Sequence, residues 1–325
     1  MSFRRIMPFV LILGAFSLIA CSEGSRAREP SSRVSREASA PSPLPPSRYP
    51  PPPRLVAIGD VHGDLDSFLS ALRVAGAIDT ANHWSGGGLW VVQVGDLLDR
   101  GEQEDEVLAL VSRLEREAQA AGGRFIAIHG NHELMNAQGD FRYVMQDGFD
   151  DFASYARQAP PALRRAEIPP RMLGRAVAFA PGGPIARELA ARNTVVVVGD
   201  TVFVHGGLDP TLLSRGIDVI NREVRAFLLG EAPLPPALAG ENSPVWHRGF
   251  ALSDDEETCA MLAETLSRVG ARRMVIGHTV QRDGIESGCG GRVWRVDVGL
   301  ARHYGGPIEV LEIEGEHVEV LAADR

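Results

Sequence analysis

The sequence predicts an α/β protein in which two packed β-sheets are flanked by helices, all within one domain. Three observations carry that expectation. Short apolar runs recur along the chain and stop abruptly at glycine or histidine, as buried strands do. Stretches with helical apolar spacing lie between the early runs, the mark of a layered α/β core. The last part of the chain adds alternating runs with few helices between them, which read as closing strands.

The elements follow in order. Arg4 and Arg5 precede an apolar run, Ile6 to Ala20, that is too short to span a bilayer comfortably. It ends in "LIAC", Leu18 to Cys21, with small residues before the expected cut. This resembles a bacterial lipobox, so residues 1–21 are expected to be a lipoprotein signal peptide with Cys21 lipidated. That places the protein outside the cytoplasm, anchored to the membrane and facing the periplasm. Ser22, where Asp would favour inner-membrane retention, allows outer-membrane anchoring. Residues 22–53 are rich in Ser, Pro and Arg and read as a disordered tether.

From Arg54 onward one pattern repeats. "RLVAIGDVHGD" breaks at Gly59, "LWVVQVGDLLDRG" at Gly95, "FIAIHGNHE" at Gly130, "VFVHGGLDP" at His205 and "RMVIGHTVQ" at Gly277. Leu65 to Ala75 and Glu102 to Ala120 carry helical spacing. "NTVVVVGDTVFVHGG" reads as a hairpin turning at Gly199 and Asp200. "RVWRVDVGL", "PIEVLEIEG" and "HVEVLAA" supply the closing strands. Residues 136–193 look helical or irregular and are expected to be an insertion over one end of the sheets within a 54–325 domain.

Ligands of α/β sheets sit at loops beyond strand ends. A lone histidine there is usually structural, but five polar strand ends in one chain are not independent. Together they hold Asp60, His62, Asp64, Asp96, Asp99, Asn131, His132, His205 and His278. Imidazole mixed with carboxylate suits Zn, Mn or Fe. The set exceeds what one tetrahedral Zn needs and fits two ions bridged by a carboxylate. The formal net charge of −9 disfavours a nucleic-acid partner. All basic side chains outside histidine are Arg, which grips phosphate with two hydrogen bonds at once.

At these residues the sequence resembles the metallophosphoesterases. "GDVHG", "GDLLDRG", "GNHE", "HGG" and "GHT" occur in that family's order, and "GDLLDRG" with "GNHE" points to its phosphoprotein phosphatases. "GNHELMNAQGDFRYV", "NTVVVVGDTVFVHGG" and "PVWHRGF" are similar to the Shewanella-like branch. The resemblance covers Arg54 to about Tyr304. It implies the calcineurin-like fold, a two-sheet sandwich with two divalent metal ions, of unspecified identity among Mn, Fe and Zn, at one edge. Asp60 and His62 would bind the first ion, Asp96 would bridge, and Asn131, His205 and His278 would bind the second. His132 would be the general acid, oriented by Asp99. Arg100 and Arg248 would hold the substrate phosphate, with Asn131 beside them. The reaction implied is hydrolysis of a phosphomonoester, on a phosphoprotein at Ser/Thr or Tyr or on a small molecule, by hydroxide held between the metals. No covalent phosphoenzyme is required, so Cys259 and Cys289 are poor nucleophile candidates. They can pair in an oxidising compartment or stand as separate thiols.

Other features are weighed the same way. Arg142 is a substrate-gripping residue or a surface Arg. Asp64 partners His62 or starts the next helix, and Glu133 is assigned a supporting structural role. His303 and Tyr304 follow a strand end and lie in a structural loop or near the metals. His83, His247 and His317 are not expected as ligands. "SGGG" at Ser85 to Gly88 is not a phosphate loop, since no helix with a Lys follows. "EQEDE" and "DDEE" are read as solvated helix starts. Two alternatives share the chemistry or abandon it: a dinucleoside polyphosphate hydrolase or phosphodiesterase of the same fold, and a non-catalytic envelope lipoprotein with a dead site.

Overall fold

Two mixed sheets face each other across a layer of aliphatic side chains. The computed structural model describes residues 45–323. The expected signal peptide, Cys21 and the tether up to residue 44 lie outside the described residues. The first sheet has the order β11-β10-β2-β3-β4, and the second β1-β5-β6-β7-β9-β8.

The first half of the chain builds most of the first sheet. β1 is Arg48–Tyr49, and β2 (Leu55–Ile58), β3 (Trp90–Gln93) and β4 (Arg124–Ala127) run parallel to one another. α1 (Leu65–Val74) and α2 (Glu104–Ala120) are the crossovers between them. α3 (Asn131–Ala137) starts directly beyond β4. The insertion follows as α4 (Gln146–Asp151), a 3-10 turn (Ala153–Gln158), α5 (Pro161–Arg165), α6 (Pro170–Phe179) and α7 (Pro184–Leu189).

β5 (Val195–Val198) and β6 (Thr201–Val204) form the expected hairpin, with Val198 opposite Thr201 and Gly199 at φ 60° in its turn. After α8 (Ile217–Leu228), α9 (Pro236–Ala239), α10 (Gly249–Leu252) and α11 (Glu256–Val269) comes β7 (Arg273–Ile276), parallel to β6. β8 (Glu286–Gly288) and β9 (Val293–Arg295) complete the second sheet. β10 (Glu309–Glu314) and β11 (His317–Ala322) return to the first.

Strand alternation explains why the runs look apolar throughout. Leu55, Ala57, Val92 and Ile126 pack between the sheets against Val196, Val198, Phe203 and Val275. Val56, Ile58, Val91 and Phe125 point the other way, toward the helices. Strands buried on both faces lose the polar alternation of a half-exposed sheet.

The expected tether ends too late. Residues 45–53 belong to the folded chain: β1 pairs parallel with β5 at Arg48–Val197 and Tyr49–Val198. The Val197 amide donates to the Ser47 carbonyl at 2.8 Å and the Gly199 amide to the Tyr49 carbonyl at 3.0 Å. Asn193 Nδ2 donates to the Pro45 and Pro46 carbonyls. Proline does not obstruct this, because the segment sits on the sheet edge, where an imino nitrogen need not donate. Cys259 and Cys289 are joined as a disulfide across 30 residues, which decides between the two readings of that pair.

Candidate active site

Parallel strands end on the same side, so β2, β3 and β4 of one sheet and β6 and β7 of the other bring their polar loops together. Glycines permit the approach. A Cβ on Gly95 would lie 2.5 Å from the Gly130 nitrogen, and one on Gly130 would lie 2.1 Å from Asp96 Oδ1. Among the described residues, seven non-glycines have φ in the left-handed region. Five of them, His62, Asp96, Asp99, Arg100 and His278, are predicted site residues. Such positions cost ~1–3 kcal/mol each and persist only where the surroundings hold them.

Backbone hydrogen bonds do the holding. The Val61 and His62 amides both donate to the Asp96 carbonyl at 2.9 Å, and Gly63 donates to Leu97. Glu133 has the supporting role expected of it. Its carboxylate accepts the Gly130 amide at 2.6 Å, Asp96 at 3.0 Å and Leu97 at 2.9 Å, tying the β3 loop to the start of α3.

Asp96 is the hub. Its Oδ2 lies 3.9 Å from His62 Nε2, 3.7 Å from His132 Nε2 and 3.2 Å from His205 Nε2. Asp60 lies 3.9 Å from both His62 and His205, and accepts the His278 amide. Asn131 Oδ1 meets His205 Nε2 at 3.0 Å. Asp96 is thus shared by two donor groups, one with His62 and His132 and one with His205 and His278. All six predicted ligands are buried.

The donors fit divalent cations. Burial, then the Asp297 and Asp96 carboxylates, push Asp60 well above the carboxylate range; burial would raise Asp96 too, but the His205 and His132 imidazoles outweigh it and hold Asp96 well below that range. Burial lowers His62 to about 4, and burial with His205 lowers His278 to about 2, leaving both imidazoles neutral as ligands must be. His278 Nε2 is buried with no hydrogen-bond partner, although its ring faces the Asp96 group. An orphaned buried nitrogen of this kind is costly unless something binds it.

His132 differs from these histidines. Proximity alone would group it with His62 and Asp96, but its Nδ1 is bonded to Asp99 Oδ2 at 2.6 Å. Burial by itself would lower its pKa; the Asp96 carboxylate and the Asp99 hydrogen bond outweigh that and raise it to about 9. Its Nε2 is turned toward the cluster, 3.7 Å from Asp96 Oδ2.

Arg100 stands over the Tyr143 ring with its guanidinium carbon 3.9 Å from the centroid, and its Nε has no partner. Tyr143 also packs on His132 at 5.2 Å. Arg248 is exposed at the rim, where it donates to the His278 carbonyl and to Thr279.

A family model described as calcineurin-like phosphoesterase matches residues 53–282. The chain belongs to the calcineurin-like metallophosphoesterases. It is 40% identical over 299 residues to Shewanella-like protein phosphatase 2 of Arabidopsis thaliana, an alignment covering 82% of this chain and 76% of that one. Among solved structures it resembles the cold-active protein-tyrosine phosphatase of a psychrophilic Shewanella species, with a TM-score of 0.70 and 29% identity over 86% of this chain and 83% of that one. A protein serine/threonine phosphatase from Saccharomyces cerevisiae shares the fold, at a TM-score of 0.54 and 16% identity over 86% and 85% of the two chains. The chain is accordingly a phosphoester hydrolase of the protein phosphatase group, and its fold implies divalent metal ions.

Several residues of this phosphoesterase are left open or missed by the sequence. His62 Nδ1 bonds the Leu98 carbonyl, and of its two open readings Asp64 takes the helix start. It caps α1 by accepting the Ser67 amide and also receives Arg302. Glu104 of "EQEDE" is not solvated. It is wholly buried and paired with Arg175, whereas Glu256 and Glu257 of "DDEE" do form an exposed first turn. Arg142 is exposed and bridged to Asp140, and the neighbouring Tyr143 reaches the centre instead. Tyr304 lies 5.3 Å from the His62 ring, and burial raises its hydroxyl to about 12. Asp297 was overlooked altogether. Burial brings it up to about 6 beside Asp60, and only its place after a strand, in "RVDVG", hinted at it.

Proposed function

We propose that this phosphatase hydrolyses phosphate monoesters on phosphoproteins at a centre of two divalent cations that share Asp96. Asp60 and His62 complete one site; Asn131, His205 and His278 complete the other. Bound there, the cations would neutralise the dianionic ester and make hydroxide available near neutral pH. The single observation that carries the reading is the Asp99–His132 pair beside a cluster in which His62, His205 and His278 gather around the Asp96 carboxylate.

Each side chain has a distinct task. Arg100, fixed on Tyr143, and Arg248 at the rim complement the phosphoryl oxygens with charge-assisted hydrogen bonds. His132 donates its Nε2 proton to the leaving oxygen, which keeps the electron pair of the breaking P–O bond. Phosphorus gains a bond to a water-derived oxygen, and solvent returns a proton to the imidazole. Asp99 keeps Nδ1 protonated and the ring aimed. Neither Cys259 nor Cys289 is a free thiol, in keeping with direct attack by water. The names of the Arabidopsis and Shewanella relatives support a phosphoprotein substrate, and the latter supports phosphotyrosine among the residues accepted.

The test is a Mn-loaded protein lacking residues 1–44, assayed on p-nitrophenyl phosphate and on matched phosphotyrosine, phosphoserine and phosphothreonine peptides. Turnover of p-nitrophenyl phosphate and of at least one peptide is expected. His132→Asn should lower kcat by about 10²–10⁴ with metal content unchanged. An inactive loaded protein, or an undiminished variant, overturns the reading. Two ions per chain are expected by mass spectrometry. We also propose, from the leader sequence, that Cys21 carries a lipid in the envelope. Labelled fatty acid should enter the full chain and not Cys21→Ala, and no incorporation into either refutes it.

A further inference from the structure

Arg175 is wholly buried on α6, 76 residues from Asp99, and it uses every donor it has. Nε donates to Asn136 Oδ1 at 2.7 Å. Nη1 donates to Glu104 Oε1 at 3.0 Å and to the Gly148 carbonyl at 2.8 Å. Nη2 donates to Asp99 Oδ1 at 2.8 Å and to Glu104 Oε2 at 2.6 Å. These account for all five N–H groups of a guanidinium. Its two neighbours among the rings are Phe152 and Phe179, with centroids 5.2 and 4.9 Å from the guanidinium carbon.

The consequence falls on Asp99. Its Oδ2 holds His132, while Oδ1 is held by Arg175 and by Asn136 Nδ2 at 2.9 Å. Arg175 also fixes the amide of Asn136, which bonds the His132 carbonyl as well. Asp99 stands on a left-handed backbone position in a loop, so nothing in its own local structure would keep the carboxylate from turning. A flat, five-donor fork sets the plane of the carboxylate, and that plane sets the direction of the imidazole.

We propose that Arg175 is a positioning residue for proton delivery, and that the 136–193 insertion is thereby part of the catalytic apparatus and not only a cover. The inference rests on His132 acting as general acid. Proton delivery matters most when the leaving oxygen is strongly basic, so loss of aim shows as a dependence on leaving group. A defect in folding or in phosphate binding lowers all substrates alike.

The experiment compares p-nitrophenyl phosphate with phenyl phosphate, a poorer leaving group of the same shape class, in the Mn-loaded enzyme. The variants are His132→Asn, Arg175→Lys, and Arg175→Met combined with Glu104→Gln, which removes a buried charge of each sign. The double variant should lose on the order of 10- to 100-fold more kcat on phenyl phosphate than on p-nitrophenyl phosphate, with KM and metal content little changed. Arg175→Lys keeps the charge without the fork and should show the same selectivity to a smaller degree. It also decides the matter if the double variant does not fold. If His132→Asn is selective and the Arg175 variants reduce both substrates equally, the positioning role is wrong and the general acid stands. If His132→Asn is not selective either, the general-acid reading fails and this inference fails with it.

Discussion

Replacing Glu133 by Gln should loosen the centre without touching a ligand. The carboxylate is 1% exposed and accepts three backbone amides, from Gly130, Asp96 and Leu97. A glutamine of the same size offers one acceptor oxygen, and its NH2 must face at least one of those N–H groups. A hydrogen bond to a charged acceptor is worth about 1.5–3 kcal/mol, and an orphaned buried donor costs about 1–3 kcal/mol. Some of this is offset, because burial and then the Asp96 carboxylate push the Glu133 carboxyl above its ordinary range. The net expectation is ~2–3 kcal/mol for Gln, and ~4 kcal/mol or more for Ala, at the extreme of single substitutions. For a domain of this size the Gln change corresponds to a melting temperature lower by about 3–5 °C. Melting is measured on metal-free protein, so that ligand linkage does not mask the change. Because Glu133 fixes the Asp96 backbone and the start of α3, Mn affinity should also fall by about 10- to 100-fold, read by titration. A Gln variant melting within ~1–2 °C of the parent and titrating identically would refute the reasoning.

Other outcomes follow from the same structure. Burial, then the Asp105 and Glu104 carboxylates, push Asp151 up to about 7, so the folded chain holds a proton that the unfolded chain has lost. That contribution is fully present below about pH 4 and is lost as pH rises from there through about 7; Asp151→Asn should therefore flatten the fall in melting temperature between about pH 4 and 7, and an unchanged slope overturns it. Protein lacking residues 1–53 should melt lower than protein lacking residues 1–44 by ~2–3 kcal/mol of stability, since the two β1 backbone bonds and the Asn193 contacts go together. It should also aggregate more readily through the bared β5 edge, and equal behaviour of the two would restore the tether reading. Cys289→Ser opens a loop of 30 residues and should cost ~3–4 kcal/mol, checked by comparing its melting with that of the oxidised parent.

The candidate ligands were legible because their signals are local. Each predicted metal ligand sits within a few residues of a strand end, and the strand is recognisable from its own apolar run. Strand ends that are parallel in a sheet must converge, so a list of polar strand ends is already a list of neighbours. The family motifs then divided the list into roles, and the geometry keeps His132 on Asp99 while the other imidazoles gather around Asp96 and Asp60.

What depended on the tertiary structure lies where partners are far apart along the chain. By sequence Arg175 was one more Arg in a chain without Lys, and "EQEDE" one more acidic helix start. Only folding across 71 residues buries Arg175 against Glu104 and turns both into support for Asp99. Asp64 had two open roles, and in the fold it caps α1 through Oδ1 while Oδ2 receives Arg302 across 238 residues. Residues 45–53 had the composition of a tether, and only the free edge of β5 gave their backbone something to pair with. Local patterns determine which side chains a strand delivers and to which end. Which distant group then holds each one is settled by packing, because its energy depends on contacts that no local stretch of sequence encodes.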